Sequence, residues 1–304
     1  MNRLRYDTSG LWLKGNTHIH TTASDGGKTT AEVAAMYASR GYDFLFRTDH
    51  WAPSDSAQDP QQYPVLWLDG LELDGEDHTG GPYHVVCLGR VKGVKTEDGF
   101  EAALLSAHAQ GAMLVLAHPR WTGTREADCL RWPFAGVEVY NHVCHWLNGK
   151  SDGLTFWDVM LKANPNTLAF ASDDAHIRPE HPGWDGGWIM VNVAERSAPA
   201  IMAAIRRGNY YSSCGPEFHS IAAGQGEVRV RTSPVQFVRV VGPGSAGRRV
   251  GSFDGQVMSE AVLAFPETWE YVYVEIEDRE GRRAWTNTLV VADPSLTPAP
   301  PALK

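Results

Sequence analysis

Leu11-Trp12-Leu13-Lys14-Gly15-Asn16-Thr17-His18-Ile19-His20 reads as a strand running into a loop, and it ends on two histidines two residues apart. On a regular strand residues i and i+2 share a face, so both imidazoles can grip one ion. Downstream, Thr29 followed three residues later by Glu32 is a capping box, opening a helix predicted to run through about Arg40. Tyr42-Asp43-Phe44-Leu45-Phe46 then reads as a second strand, and it leads into Thr48-Asp49-His50. Strand, helix, strand, with metal-ligating residue types where the strands end, is the unit from which the rest of the region is read.

Working outward, strands are predicted at 65–68, 83–88, 113–116, 137–140, 167–171 and 189–193, and helices at 97–110, 154–163 and 198–207. Such alternation implies an α/β domain with a largely parallel sheet, open or closed as a barrel. The texture changes after Gly215-Pro216. Val228-Arg229-Val230-Arg231 alternates, as does the run Glu270 to Ile276, and Asp278-Arg279-Glu280-Gly281 is a turn before Ala284 to Val291. The expected organisation is an α/β domain over 1–216 and a small antiparallel, sandwich-like β domain over 217–293. A Pro-rich tail over 294–304 is expected to be disordered.

The 304 residues allow one large domain, or one large and one small. The formal charge of −9 argues against a bulk nucleic-acid binder, which would be basic. No stretch approaches the ~20 apolar residues of a membrane span. The N-terminal Met1-Asn2-Arg3-Leu4-Arg5 is not followed by an apolar run, so no signal peptide is expected. The four scattered cysteines, Cys87, Cys129, Cys144 and Cys214, then read as reduced thiols, and the expected compartment is the cytoplasm.

Six segments share one pattern, a predicted strand ending in a metal-ligating residue type. They are Thr17-His18-Ile19-His20, Thr48-Asp49-His50, Leu71-Glu72-Leu73, Ala117-His118-Pro119, Val137-Glu138-Val139 and Ser172-Asp173-Asp174-Ala175-His176. In barrel enzymes the C-terminal strand ends converge, so residues remote in sequence would meet. Asp174 and His176 repeat the spacing of His18 and His20, although Asp174 could equally cap a helix. Asp25, in Ser24-Asp25-Gly26-Gly27, reads alone as a turn aspartate. Glu72 has two oxygens and could bridge two cations, and a glutamate with apolar neighbours is otherwise costly to bury. His84 is the exception, falling at the start of its strand. His78, His108, His142, His145, His181 and His219 have no such placement; His108 reads as a surface or packing residue of a helix, and His142 and His145 are candidates for the pocket wall.

The set His18-x-His20 with Thr21, Ser24-Asp25-Gly26, Thr48-Asp49-His50, Glu72, His84, Ala117-His118-Pro119 and Asp174-x-His176 resembles the motifs of the PHP (polymerase and histidinol phosphatase) family, in that family's order. The resemblance implies a distorted seven-stranded (β/α) barrel with two or three divalent ions. It also implies that His18, His20, Glu72 and Asp174 hold one ion; that Glu72, His84 and His118 hold a second, with Glu72 bridging; and that Asp25, His50 and His176 hold a third. In some relatives a histidine one residue further on takes the place of Asp25. Glu138 and Asn141 match a recurrent family segment, as residues behind the ligands or lining the pocket. Arg206 to Glu217 and Gly281 to Asn287 are similar to segments of the carbaryl-hydrolase-like (CehA/McbA) branch.

Paired cations about 3.5–4 Å apart acidify a shared water and stabilise charge on a phosphoryl or carbonyl oxygen. Histidine and carboxylate ligands without cysteine suit zinc, manganese or iron. The expected activity is hydrolysis of a small-molecule ester, with Glu72 and Asp174 at the reacting centre. Three readings stand, of which the phosphoester is preferred. A phosphoesterase would use Arg120, Lys28 or Arg178 on phosphate oxygens. A carbamate or carboxyl-ester hydrolase would pack an aryl leaving group against Trp51, Trp121, Tyr140 or Trp146. A non-catalytic binding module is the third, against which the complete ligand set argues.

Overall fold

A computed structural model describes residues 3–59, 61–224 and 226–291. The tail over 294–304 lies outside the described residues. In chain order the first half comprises β1 (Arg3–Leu4), β2 (Leu11–Asn16), α1 (Thr30–Ala38), β3 (Phe44–Arg47), β4 (Leu66–Glu76), β5 (Pro82–Leu88), α2 (Phe100–Ala109), β6 (Met113–Leu116), α3 (Pro119–Thr122), β7 (Gly136–Asn141), α4 (His142–Asn148) and α5 (Leu154–Ala163). There follow β8 (Leu168–Ser172), β9 (Trp188–Val193), α6 (Ala198–Arg207), β10 (Tyr210–Ser213), β11 (Phe218–Gly224), β12 (Glu227–Val235), β13 (Phe237–Val241), β14 (Gly247–Gly251), β15 (Met258–Ala264), β16 (Tyr273–Glu277), β17 (Arg283–Thr286) and β18 (Val290–Val291).

One 13-stranded sheet runs in the order β14-β13-β16-β17-β10-β9-β2-β3-β4-β5-β6-β7-β8. Its pairings are parallel from β2 to β4 and from β6 to β8, and antiparallel elsewhere. This corrects two expectations. The sheet is mixed rather than largely parallel, and it does not close into a seven-stranded barrel. At the open seam β8 meets side chains instead of a backbone ladder. The Tyr210 hydroxyl and Ser212 Oγ each donate to the Ala169 carbonyl at 2.9 Å, and the Ala169 N–H donates to Asn287 Oδ1 at 2.8 Å. The edge N–H and carbonyl of Ala169 are thus satisfied by side chains standing between the strands.

The strand patterns explain which faces are buried. On β4, Leu66 and Leu68 join one core while Leu71 and Leu73 join another, as the two-residue period requires. The first core takes Phe44, Phe46, Val86, Val115 and Phe170, and α6 packs onto it through Ile201, Ala204 and Ile205. The second lies under α2 and α5, through Leu104, Trp157, Met160 and Leu161. The α1 capping box is present as read: Thr29 Oγ1 accepts from the Glu32 N–H, and Glu32 accepts from the Thr29 N–H at 2.9 Å.

Beyond β10 the chain is all β. The three-stranded sheet β11-β12-β15 packs across β13 and β16, and the core between them includes Val228, Val230, Val238, Val240, Leu263, Val274 and Ile276. Tyr211, Trp12 and Met190 share that core, so this layer is continuous with the α/β part. β10 pairs with β17, Ser212 opposite Trp285, which brings together the two segments that carried the carbaryl-hydrolase-like resemblance. Asp278 builds the expected turn by accepting from the N–H groups of Glu280 and Arg282. Among the described residues no helix is long and apolar enough to cross a membrane.

Candidate metal centre

The β4 face that carries Leu66 and Leu68 continues as Glu72 and Asp74, and the β5 face that carries Val86 and Leu88 begins with His84. An apolar core therefore gives way to ligating residues at one end of the sheet, within single strands. The same end receives the residues after β2, β3, β6 and β8: His18 and His20, His50, His118, and Asp174 with His176. His84 stops being an exception here. β4 and β5 form an antiparallel hairpin in which Asp74 is opposite His84, so the start of β5 lies where the parallel strands end. Glu72 itself sits inside an 11-residue strand, longer than the 65–68 segment read from sequence.

All nine residues expected to ligate metal fall into overlapping groups of mutually close ligand atoms. The groups are His18, His20, Glu72 and Asp174; His20, Asp25, His50 and His176; His50, Glu72 and His84; and His18, His118 and Glu138. Glu72 divides the imidazoles between its two oxygens. Its Oε1 lies 2.9 Å from His84 Nδ1 and 3.4 Å from His118 Nε2. Its Oε2 lies 3.0 Å from His18 Nε2, 3.2 Å from His20 Nε2 and 3.4 Å from His50 Nε2. Asp174 Oδ1 is 3.2 Å from His18 Nε2 and 3.0 Å from His20 Nε2, and Asp25 Oδ2 is 3.1 Å from His176 Nε2. Two details differ from the expected grouping: His50 joins Glu72 and His84 as well as the Asp25 set, and His118 falls with His18 and Glu138 rather than with Glu72 and His84.

Four imidazoles are braced from behind. His18 Nδ1 lies 2.8 Å from Glu138 Oε1, His50 Nδ1 2.9 Å from Asp74 Oδ1, His118 Nδ1 3.0 Å from Thr122 Oγ1, and His176 Nδ1 2.8 Å from the Asp174 carbonyl. Each bond holds a ring so that Nε2 faces the centre, as the outer partners of metal-binding histidines do. Glu138 is buried and also accepts from Ser172 Oγ and Asn141 Nδ2. The loop before Asp25 is tied by Asp49, which accepts from the Thr21 N–H, Thr21 Oγ1 and Ser24 Oγ. Gly26 is required there, because a Cβ would sit 2.5 Å from the His20 carbonyl oxygen. Non-glycine residues with positive φ gather at the same place: Trp51, His118, Asp174 and Ile177. Strained backbone of this kind persists where surrounding contacts hold it, and it concentrates at functional sites.

The electrostatics are dominated by pairing between imidazoles and carboxylates. Burial alone would raise the Glu72 carboxyl and lower the His18 and His20 imidazoles. Mutual pairing overrides it, holding Glu72 well below the usual carboxylate range and His18 well above that of a free imidazole. His20 is carried up to about 9 by Asp174 and Glu72. Asp174 and Asp25 are likewise depressed, against burial, chiefly by His18 and by His176 respectively. Yet the buried His18 Nε2 and His20 Nδ1 have no hydrogen-bond partner, although carboxylate oxygens lie close. Nitrogens that face carboxylates without hydrogen-bond alignment, in a set of histidines, aspartates and glutamate, fit divalent-metal ligation.

The other expected residues are placed as follows. Arg120 is not brought into the cluster: its half-exposed guanidinium pairs with Asp152, beside a surface cleft that also takes Thr124 and Glu126. A charge that already has a carboxylate partner is a poor phosphate ligand. Arg120→Ala should therefore change turnover by less than about twofold, and a loss of tenfold or more would put Arg120 back at the reacting centre. Lys28 pairs with Glu32 at 3.4 Å. Arg178 does approach the cluster, with Nη2 3.9 Å from Asp25 Oδ2. Trp121 lies edge-on to His84 and His118, and Trp51 Nε1 donates to Asp74 at 3.1 Å. Tyr140 lies against His142 and His145. His108 is exposed on α2, as read.

Sequence reasoning gave no role to Asp74, Thr122 or His181. Asp74 was detectable, since it shares a strand face with Glu72 two residues away. Thr122 and His181, whose ring is 5.6 Å from that of His176, carry no local signal. Asp173, next to Asp174, is enclosed by five donors: Asn16 Nδ2, the Tyr37 hydroxyl and the N–H groups of Asp185, Gly186 and Gly187. It anchors the loop before β9 to the centre of the sheet.

No family model matches the chain, and no curated protein matches it. Solved structures do. A two-domain protein from Bacteroides vulgatus, containing a predicted PHP-like metal-dependent phosphoesterase, is 14% identical with a TM-score of 0.51; the match covers 95% of this chain and 98% of that one. A putative metal-dependent phosphoesterase from Bifidobacterium adolescentis is 12% identical, with a TM-score of 0.42 over 66% of this chain and 98% of that one. An amidohydrolase from Chromobacterium violaceum, with bound sulfate and no metal, is 15% identical, with a TM-score of 0.40 over 64% of this chain and 96% of that one. At such identities the first likeness is one of fold, and it extends over both the α/β part and the β layers.

Proposed function

We propose that this chain is a divalent-metal-dependent hydrolase of the PHP type acting on a phosphoester. The observation that carries the reading is the division of the buried Glu72 carboxylate between two sets of imidazoles, one on each oxygen. His18, His20, Glu72 and Asp174 would hold one ion, Glu72, His84 and His118 a second, and Asp25, His50 and His176 a third. Such ions supply Lewis acidity toward a phosphoryl oxygen and a water acidified to near-neutral pKa. The chain's own part is positional. Glu138, Asp74 and Thr122 fix ring orientation, Glu72 and Asp174 set the negative charge, and Trp51 and Trp121 wall the centre. The end-to-end fold likeness to a protein containing a predicted PHP-like metal-dependent phosphoesterase supports the choice of phosphoester.

A second reading is an aryl carbamate or carboxyl-ester hydrolase of the carbaryl-hydrolase-like branch. It is favoured by the tryptophans beside the centre, and by the pairing of the two segments that resemble that branch. The discriminating experiment strips the protein of metal and reconstitutes it with Mn²⁺, Zn²⁺ or Fe²⁺. Turnover is then compared on an aryl phosphate monoester, an aryl phosphodiester, an aryl carboxyl ester and 1-naphthyl methylcarbamate. Metal-dependent turnover concentrated on a phosphate ester is expected; turnover confined to the carbamate or carboxyl ester would overturn the phosphoester reading. His108→Ala, remote on α2, should leave all rates within about twofold.

A further inference from the structure

We infer that Arg178 and His181 form an anion clamp on the rim of the metal centre and select substrates that carry a negative charge next to the scissile bond. The inference rests on the hydrolase reading above and specifies which side chains hold the charged group. Arg178-Pro179-Glu180-His181 is a tight turn closed by two backbone hydrogen bonds, Arg178 N–H to the His181 carbonyl at 3.1 Å and His181 N–H to the Arg178 carbonyl at 2.9 Å. Pro179 presets its own φ, so the backbone of the turn holds the Arg178 and His181 Cα atoms in a fixed relation. The turn follows His176 directly, through Ile177 at φ 48°.

The turn is also pinned to the Asp25 loop. The Gly27 N–H donates to the His176 carbonyl at 2.7 Å. A Cβ on Gly27 would lie 2.6 Å from the Ile177 carbonyl oxygen and 2.9 Å from Arg178 Cγ, so only glycine lets the loop close against the arginine stem. The clamp and the ligand Asp25 are therefore one rigid unit. At its other end the His181 ring is 5.6 Å from that of His176 and 6.3 Å from that of the half-exposed Trp146.

The polar groups of this pair are not satisfied within the chain. Arg178 Nη2 stands 3.9 Å from Asp25 Oδ2, and Nε stands 3.5 Å from Glu180 Oε1, too far or too poorly aligned for hydrogen bonds. Arg178 Nε and His181 Nδ1 are both buried atoms without a hydrogen-bond partner. Arg178 Nε is a donor, and His181 Nδ1 becomes one in the matching tautomer; a buried donor left open in a folded chain calls for an explanation, and a ligand that brings acceptors is one. Arg120 and Lys28 pair with Asp152 and Glu32 away from the cluster, whereas Arg178 stands beside the centre, near Asp25 and Glu180 but with no hydrogen bond from its side chain to either. A guanidinium presents donors in a fork that matches a phosphate or carboxylate.

The test measures binding of inorganic phosphate by calorimetry and turnover of an aryl phosphate and an aryl carboxyl ester, with metal content determined for every sample. It uses the full, Mn²⁺-reconstituted chain as wild type, Arg178→Ala, Arg178→Lys, His181→Ala and the control His108→Ala. Arg178→Ala should weaken phosphate binding roughly 10- to 100-fold and raise KM for the aryl phosphate more than it lowers kcat. Metal content should hold, and any turnover of the neutral ester should be unchanged. Arg178→Lys should recover part of the affinity, and His181→Ala should show a smaller loss of the same kind. Unchanged phosphate affinity in Arg178→Ala would overturn the clamp even if the wild type hydrolyses phosphoesters. A wild type that binds no phosphate would overturn it as well. Metal-dependent turnover confined to uncharged esters, with phosphate binding still dependent on Arg178, would overturn both the phosphoester reading and the selection of charged substrates.

Discussion

Replacing Glu72 with glutamine should lower turnover by more than about 100-fold and reduce the metal retained per chain. The magnitude follows from position. Residues that only brace a metal-binding histidine already cost about 10- to 100-fold when changed, and Glu72 lies inside the ring of imidazoles rather than behind it. Glutamine keeps the shape and one acceptor oxygen but removes the charge and turns the other oxygen into a donor. That donor would face either His18, His20 and His50 or His84 and His118, depending on the amide orientation. The measurement is kcat with elemental analysis of the purified variant, alongside far-UV circular dichroism to verify folding. Glu138→Gln is the graded comparison, since Glu138 touches the outer nitrogen of His18. Full activity and full metal content in Glu72→Gln would sink the assignment of this carboxylate as a bridge.

The second large effect is on stability, and it depends on metal and pH together. A group whose pKa is higher in the folded than in the unfolded chain stabilises the fold below its unfolded value. That contribution is lost as pH rises through the folded value. For His20 the window runs from the ordinary 6.5 to about 9, and His18 is raised in the same direction. The depressed carboxyls of Glu72, Asp174 and Asp25 act oppositely, contributing above their ordinary values and losing the contribution as pH falls through the folded ones. Metal-free protein should therefore be most stable at about pH 5–6, between the ordinary carboxyl and imidazole values, and its Tm should drop on the order of 5 °C between about pH 6.5 and 9.5.

Bound metal displaces those protons and binds only the folded site, so loaded protein should melt higher and lose less over the same range. Scanning calorimetry at a series of pH values, with and without chelator, reads both effects. Parallel curves for the loaded and stripped forms would show that protons and metal do not share these ligands.

Much of the centre was legible along the chain, because ligand chemistry is local. His18-x-His20 and Asp174-x-His176 announce themselves by spacing, His50 and His118 by their place after apolar strands, and Glu72 by a charge set among leucines. The alternation of β12 and the capping box at Thr29 were legible for the same reason: each depends on residues a few positions apart. What failed was anything that required chain direction. An apolar run such as 113–116 does not tell whether its neighbours are parallel, so neither the mixed sheet nor the reason why His84 falls at the start of its strand can be had from the sequence. The side-chain seam at Ala169, with Tyr210 and Ser212 standing where a ladder would close a barrel, depends on segments some forty residues apart.

By itself, then, the sequence determined the donor types, their order along the chain and the α/β-then-β organisation, since these follow from composition and from periods of two and 3.6 residues. Only the tertiary structure decided that β5 runs back and delivers His84, that Glu72 splits the imidazoles between its oxygens, and that Arg178 rather than Arg120 reaches the centre. Those outcomes turn on register and on which carboxylate lies within a few ångströms of which cation. Such distances are set by packing between remote segments, to which a linear pattern is blind.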